Sequence, residues 1–240
     1  MDLSRSFGQA ADVYRTARPD YPAAAVQWLL GDEPRTVADV GAGTGKLTAA
    51  LVAAGHQVTA VEPDEAMLAV LRQDLPGVAT LVGTGESTGL PDASVDACVF
   101  GQSWHWVDPV AACAEMDRVL RPEGILGLVW NMRDHRIDWV AALAEIMGPS
   151  RSEEVLDAGD PPVAAPFGEL EKFETKWTAR TSLAGLLELA KSRSPIITAT
   201  AERREAILAG IAELVHDHPD LGDPDHIELP YRTVVFRGRR

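Results

Sequence analysis

The run Val37-Ala38-Asp39-Val40-Gly41-Ala42-Gly43-Thr44-Gly45 constrains the fold of this chain more than any other stretch. Four residues suited to the end of a buried strand lead into three glycines spaced two apart, and Lys46 then opens an amphipathic helix. The order is strand, glycine turn, helix start. Glycine lets a backbone approach a ligand closely, and the first turn of a helix presents unpaired N–H groups to a polar partner. A phosphate-gripping loop needs glycine where Val40 stands and Ser or Thr where Leu47 stands, so that reading fails. A dinucleotide fingerprint, G-x-G-x-x-G, is weakened without being excluded, because the third glycine comes one residue early and Lys46 occupies its place. Asp39 can meet a cationic or hydroxyl-rich ligand while the helix start beside it holds a carboxylate. An amino-acid end suits this pair.

Three motifs in order, D-V-G-A-G-T-G from Asp39, V-T-A-V-E-P ending at Pro63 and R-V-L-R-P-E-G from Arg118, resemble the class I S-adenosylmethionine-dependent methyltransferases. The resemblance implies an α/β fold, a seven-stranded Rossmann-like doubly wound sheet, mostly parallel with the last strand antiparallel, under an N-terminal helical lid. It implies S-adenosyl-L-methionine as cofactor and S-adenosyl-L-homocysteine as product. Gly41, Ala42 and Gly43 then hold the methionine end together with Asp39. Glu62 matches the acid that takes both ribose hydroxyls, and its distance from Gly41 is close to the roughly 20 residues expected of a ribose acid. The implied organisation is a single methyltransferase domain over 1–240, with lid helices at 1–30, a cofactor-binding core at 35–131 and substrate-shaping helices and closing strands at 132–240.

Whole-chain numbers fit one decorated domain: 240 residues, 46% of them hydrophobic. A formal net charge of −14 and a pI near 4.8 argue against wrapping nucleic acid or lying on an anionic membrane. Cys98 and Cys113 lack C-x-x-C spacing, so neither a disulfide framework nor a metal site is expected. No apolar run is long enough to span a bilayer, and the N-terminus lacks the regions of a signal peptide. A cytoplasmic protein with a small-molecule partner is expected; nothing in the chain speaks to oligomeric state.

Along the chain, Tyr14, Arg18, Pro19, Tyr21 and Pro22 spell a Y-x-x-x-R-P-x-Y-P segment that resembles a lid over the cofactor. Tyr14 is placed in the catalytic set and Arg18 opposite the cofactor carboxylate, with aromatic packing and a surface charge as their plainer roles. Pro63, which ends the second strand, is placed with Glu62 among the cofactor-binding residues, and Asp64 is suited to cap the helix that follows. Met67 in its first turn is expected on the adenine face or in the core. Thr84, Gly85 and Glu86 are expected to contact the adenine. Residues 148–167, rich in Pro, read as a loop.

The stretch Phe100-Gly101-Gln102-Ser103-Trp104-His105-Trp106 follows the fourth strand, at the carboxyl edge where open α/β sheets hold their ligands. Gln102 matches a position near the methionine part of the cofactor, and the Q-x-x-H-W spelling resembles the branch that includes trans-aconitate methyltransferase, a carboxyl-methylating enzyme. Trp104 and Trp106 are either substrate contacts or buried anchors. Asn131 and Arg133 stand at the end of the fifth strand, facing the same crevice.

Methyl transfer from a sulfonium displaces on an already activated carbon, so the protein must chiefly align the acceptor and desolvate charge. A carboxylate acceptor is ionised at neutral pH and needs only to be held, for which Arg133 and Arg193 are the candidates. A phenol, alcohol or amine needs a base, and His105 is the best placed. Two other readings stay open: a protein that binds S-adenosylmethionine without turnover, and an NAD-dependent oxidoreductase.

Overall fold

The computed structural model describes residues 19–149, 151–193, 196 and 199–240; Tyr14 and Arg18 lie outside them. Strand β1 (Thr36–Val40) is buried at four of its five positions, as a strand covered on both faces must be. It pairs in parallel with β2 (Gln57–Val61) and with β4 (Val95–Gly101). Beyond β2 lies the short β3 (Ala79–Leu81), and beyond β4 lies β5 (Leu120–Arg133), both parallel to their neighbours. The sheet is completed by β7 (Ile227–Arg239), antiparallel to β5, and by β6 (Glu171–Thr181), antiparallel to β7, giving the order β3-β2-β1-β4-β5-β7-β6. The last strand in sequence is thus the one that runs against the rest, and the sheet is the seven-stranded, doubly wound one expected.

Alternation along the strands feeds two cores. Ala97, Val99, Ile125 and Val129 turn to one face and pack with Val26, Leu29 and Leu30 of α1 (Ala23–Leu30) and Leu47 and Leu51 of α2 (Lys46–Ala53). Cys98, Phe100, Leu126, Leu128 and Trp130 turn to the other and meet Ala112, Cys113 and Met116 of α4 (Pro109–Val119). The period of two is that of a strand whose neighbouring side chains point to opposite faces. Between them α3 (Glu65–Asp74) starts at Asp64, whose side chain accepts from the Ala66 N–H, and α4 starts at Asp108, which accepts from the Ala111 N–H. Both caps supply a partner for an orphan N–H of the first turn.

A third core forms where β7 outruns the parallel strands. Ile227, Leu229 and Tyr231 pack with α5 (Asp138–Met147), α7 (Leu183–Lys191) and α8 (Ala201–Asp217). The stretch expected to be loop from 148 to 167 contains one further helix, α6 (Arg151–Asp157). Among the described residues no helix is long and apolar enough to cross a membrane, and no group of three or more His, Cys, Asp or Glu is arranged to hold a metal ion.

Candidate active site

The glycine loop follows β1 and is pinned to the end of the neighbouring β2. Gly41 and Ala42 both donate to the Val61 carbonyl, at 2.8 and 3.1 Å, and Gly43 N–H donates to Glu62 Oε2 at 2.9 Å. The two central glycines differ in what surrounds them. A Cβ on Gly41 would sit 2.5 Å from the Ser103 Cβ, whereas one on Gly43 would meet nothing nearer than the Met67 sulfur at 3.7 Å. Both have positive φ, +71° and +57°. Gly41 therefore lets the loop pack on Ser103, whose hydroxyl donates to the Val40 carbonyl at 2.7 Å. Gly43 instead leaves open ground beside Met67 and Glu62.

Glu62 is 5% exposed and accepts from Gly43 N–H at one oxygen and from Asp64 N–H, 3.0 Å away, at the other. A carboxylate has about four acceptor positions, so each oxygen keeps capacity for a hydroxyl donor. Burial raises the Glu62 pKa; the two backbone N–H bonds pull it down, and the nearby Asp64 charge adds to the rise. Pro63 follows directly and closes the strand. Asp39 is wholly buried at the end of β1, where its Oδ2 accepts from the Thr48 hydroxyl at 2.6 Å. Its Oδ1 is buried with no hydrogen-bond partner among the described residues. Burial pushes its carboxyl up to about 7, with the Glu62 charge adding and the Thr48 bond opposing. Oδ1 thus keeps acceptor capacity that the described residues do not use.

Thr84 and Ser87 exchange backbone hydrogen bonds around a tight turn that holds Gly85 and Glu86. Gly85 is pressed against Val107, where a Cβ would come within 2.6 Å of a methyl. The Glu86 carboxylate accepts from the Asp108 N–H at 2.9 Å, tying this turn to the start of α4.

Past β4 the chain turns at Gln102, a non-glycine residue with φ +58°. Its side-chain amide donates to the Asn131 carbonyl at 2.7 Å. The Asn131 side chain accepts from the Thr233 hydroxyl at 2.6 Å and donates to the Asp20 carbonyl at 3.1 Å. Asp20 is held a second time, by Lys46 Nζ at 2.8 Å. The segment that leads into α1 is thereby stapled across the carboxyl edge of the sheet.

Gln102, Asn131, Arg133 and Arg193 come together, with Tyr21, Lys46, Glu153 and Tyr231, around an open cleft. Glu153 bridges the two arginines: Arg133 Nη2 reaches Oε1 at 2.7 Å and Arg193 Nη2 reaches Oε2 at 2.6 Å, with His135 Nε2 3.4 Å from Oε1. All three members of the Arg–Glu–Arg set are at least nine-tenths buried. Burial alone would raise the Glu153 pKa, but the His135 bond and the two guanidinium charges hold its carboxyl far below the usual range.

The aromatic run lies differently from the arginines. Trp104 is 2% exposed, packs edge-on against Phe100 and donates its indole N–H to the Pro162 carbonyl at 2.9 Å. Its surface is spent on packing and on anchoring the Pro-rich loop. Trp106 carries the Arg151 guanidinium over its ring at 5.2 Å, and His105 lies half-buried against Trp106. None of these three is among the residues that line the cleft. Reading the sequence singled out the two arginines but missed Glu153, Lys46 and Tyr231 as their neighbours in the cleft. Ser150-x-x-Glu153 has the spelling of a capping box and was the available signal for a helix there.

Comparison with known proteins bears on the family. The family described as "Methyltransferase domain" matches residues 38–128, from β1 through β5. An uncharacterised methyltransferase of Mycobacterium tuberculosis is 45% identical over 236 residues, covering 98% of this chain and 96% of its own. A malonyl-[acyl-carrier protein] O-methyltransferase of Methylococcus capsulatus is 38% identical over 103 residues, 40% of this chain and 38% of that one. Among solved structures, a candidate type II methyltransferase from Anaeromyxobacter dehalogenans is similar with a TM-score of 0.69 and 29% identity, over 92% of this chain and 97% of that one. With a relative this similar along nearly its whole length, the chain belongs to the methyltransferase family.

Proposed function

We propose that the protein transfers a methyl group from S-adenosylmethionine to a small anionic acceptor, for which a carboxylate is the best fit. The observation that carries this reading is the placement of a cleft lined by Arg133 and Arg193 beside the glycine loop, at the same edge of the sheet. The donor supplies an activated methyl on a sulfonium, and the protein's own work is to bind, orient and exclude water. Glu62 would hold the ribose hydroxyls, and the open ground at Gly43 would admit the chain that joins ribose to the amino-acid end. Asp39, with its unsatisfied inward oxygen, would favour the ammonium of that end. Thr84 and Gly85 would border the adenine through their backbone, and Met67 would close its face. Arg18 and Tyr14 belong to the lid segment and would complete the cover.

On the acceptor side, Arg133 and Arg193 hold the carboxylate and Gln102 and Asn131 fix the wall between it and the donor. A carboxylate reacts as the anion it already is at neutral pH, so no general base is required of His105. His105, Trp104 and Trp106 then shape the site from behind. The carboxyl-methylating branch seen in the Q-x-x-H-W spelling agrees with this. The partial similarity to an enzyme named for O-methylation of a malonyl group supports it more weakly.

The test is to incubate the purified protein with S-adenosylmethionine carrying a labelled methyl group and an extract of small metabolites, then treat the labelled product with mild alkali. Label released as methanol is the expected outcome and identifies a methyl ester. Label that survives alkali would replace the carboxylate with an oxygen or nitrogen acceptor and give His105 the role of base. Calorimetry that finds no binding of S-adenosylmethionine, with NADH bound instead, would overturn the reading entirely.

A further inference from the structure

In a chain with 36 acidic and 22 basic residues, the convergence of two buried guanidiniums on one cleft is a local reversal of charge. Their partner is Glu153, and the element that delivers it is unusual. Helix α6 has seven residues, and Glu153 is its one buried side chain. A helix this short has no independent stability in water, and helices normally dock through an apolar face. This one buries a carboxylate between two arginines and sets Arg151 on the Trp106 ring, with the half-buried Leu156 as its apolar contact to the core. A buried ion set of this kind adds little net stability over an apolar one of similar volume, so its presence in the wall of a ligand cleft calls for another reason. The ionic part of that docking, at Glu153, is one that an anion in solution can replace.

We propose that Glu153 is the resident occupant of an anion seat, and that the acceptor's carboxylate exchanges with it between Arg133 and Arg193 while α6 moves aside. This rests on the anionic-acceptor reading above and adds to it a specificity-determining residue. A planar carboxylate matches the seat because Glu153 already presents one: its two oxygens each meet a different guanidinium, at 2.7 and 2.6 Å. Exchange conserves charge, since one carboxylate leaves the pair as another enters, and no buried cation is stranded at any stage. Neutral and cationic molecules gain nothing from displacing Glu153, so the competition is itself a filter against them.

The measurement is calorimetric titration of malonate, and separately of inorganic phosphate, into the full-length protein loaded with S-adenosylhomocysteine. Hydrogen exchange of residues 151–157 is followed alongside. Malonate is expected to bind the wild type and to speed exchange across α6. Glu153→Gln, which keeps the size of the side chain and removes its charge, is expected to tighten malonate about tenfold or more. Arg193→Gln should abolish the binding. Malonate that binds while α6 amides stay protected, or equal affinity in wild type and Glu153→Gln, would overturn the exchange. Phosphate binding tighter than malonate would overturn the carboxylate assignment. Should Glu153→Gln fail to fold, Glu153→Asp and the wild-type exchange data decide, because a shorter acid bridges the pair less well and should still tighten malonate. Failure of S-adenosylhomocysteine to load would count against methyl transfer itself, whereas normal loading with no effect of Glu153 would count against the seat alone.

Discussion

At the scale of single residues, Asp39 ties protonation to folding and to the ligand. Its carboxyl titrates near 3.8 in an ordinary setting and near 7 when buried in the folded protein. Between those values the folded state keeps a proton that the unfolded state has released, so stability falls as pH rises through the window and levels off above it. Glu62, whose pKa burial also raises, acts in the same direction. Asp39→Asn cannot ionise, and it should therefore gain on the wild type by a few kcal/mol, on the order of one kcal/mol per pH unit, as pH rises from about 5 to about 7. Urea unfolding across that range checks this; parallel stability curves for the two proteins would remove Asp39 from the account. Its orphaned Oδ1 makes the same point for binding. The cation of the proposed donor favours the ionised carboxylate, so affinity for S-adenosylmethionine should climb over the same window with release of a proton. Calorimetry in buffers of different ionisation heat reads that proton directly.

At the scale of elements, the glycine loop separates packing from binding within three residues. Gly41→Ala adds a Cβ 2.5 Å from that of Ser103 at φ +71°, so it should destabilise by about 2–3 kcal/mol from strain and overpacking together. Gly43→Ala adds one into open ground at φ +57° and should cost only about 1–2 kcal/mol. It should lose affinity for S-adenosylhomocysteine by about tenfold or more, because the methyl stands where the ligand would pass. Thermal melts and titrations of both variants check the split, and equal losses of stability would refute it. This loop was legible in sequence because its determinants are local: strand, positive-φ glycines and helix start are consecutive. Asp64 was legible as a cap for the same reason. Helix α6 was legible only through its Ser150-x-x-Glu153 spelling, since its length is below what periodicity can register and its anchor is a charge. The partners of Glu153, Arg133 and Arg193, stand 20 and 40 residues away, and nothing in the spacing says that they meet. Trp104 shows the reverse: a residue conspicuous in sequence whose surface is taken up by Phe100 and the Pro162 carbonyl.

At the scale of the molecule, the sheet divides the work between separate cores, and this gives the site two halves that can be perturbed independently. The glycine loop sits on the end of β1 and opens α2, whose Leu51 is fully buried against Val37 and Val58. The cleft proposed for the acceptor draws Leu189 and Tyr231 from the third core, where Ile211 of α8 is also fully buried. The bridge between halves is polar: Gln102 to Asn131, Asn131 to Thr233, and Thr233 to the Trp177 indole at 2.8 Å. Either Leu51→Ala or Ile211→Ala should destabilise by about 2–5 kcal/mol through the cavity it leaves. Their effects on binding should differ. Ile211→Ala loosens α8 and the ends of β7, so it should weaken malonate while leaving S-adenosylhomocysteine affinity within about twofold, because Ile211 packs in the third core and not with the residues under the glycine loop. Leu51→Ala loosens the helix that follows the glycine loop and should do the opposite. Titrating both ligands against both variants measures the division. If each variant weakens the two ligands in proportion, the halves move as one body, and the third core supports the donor as much as the acceptor.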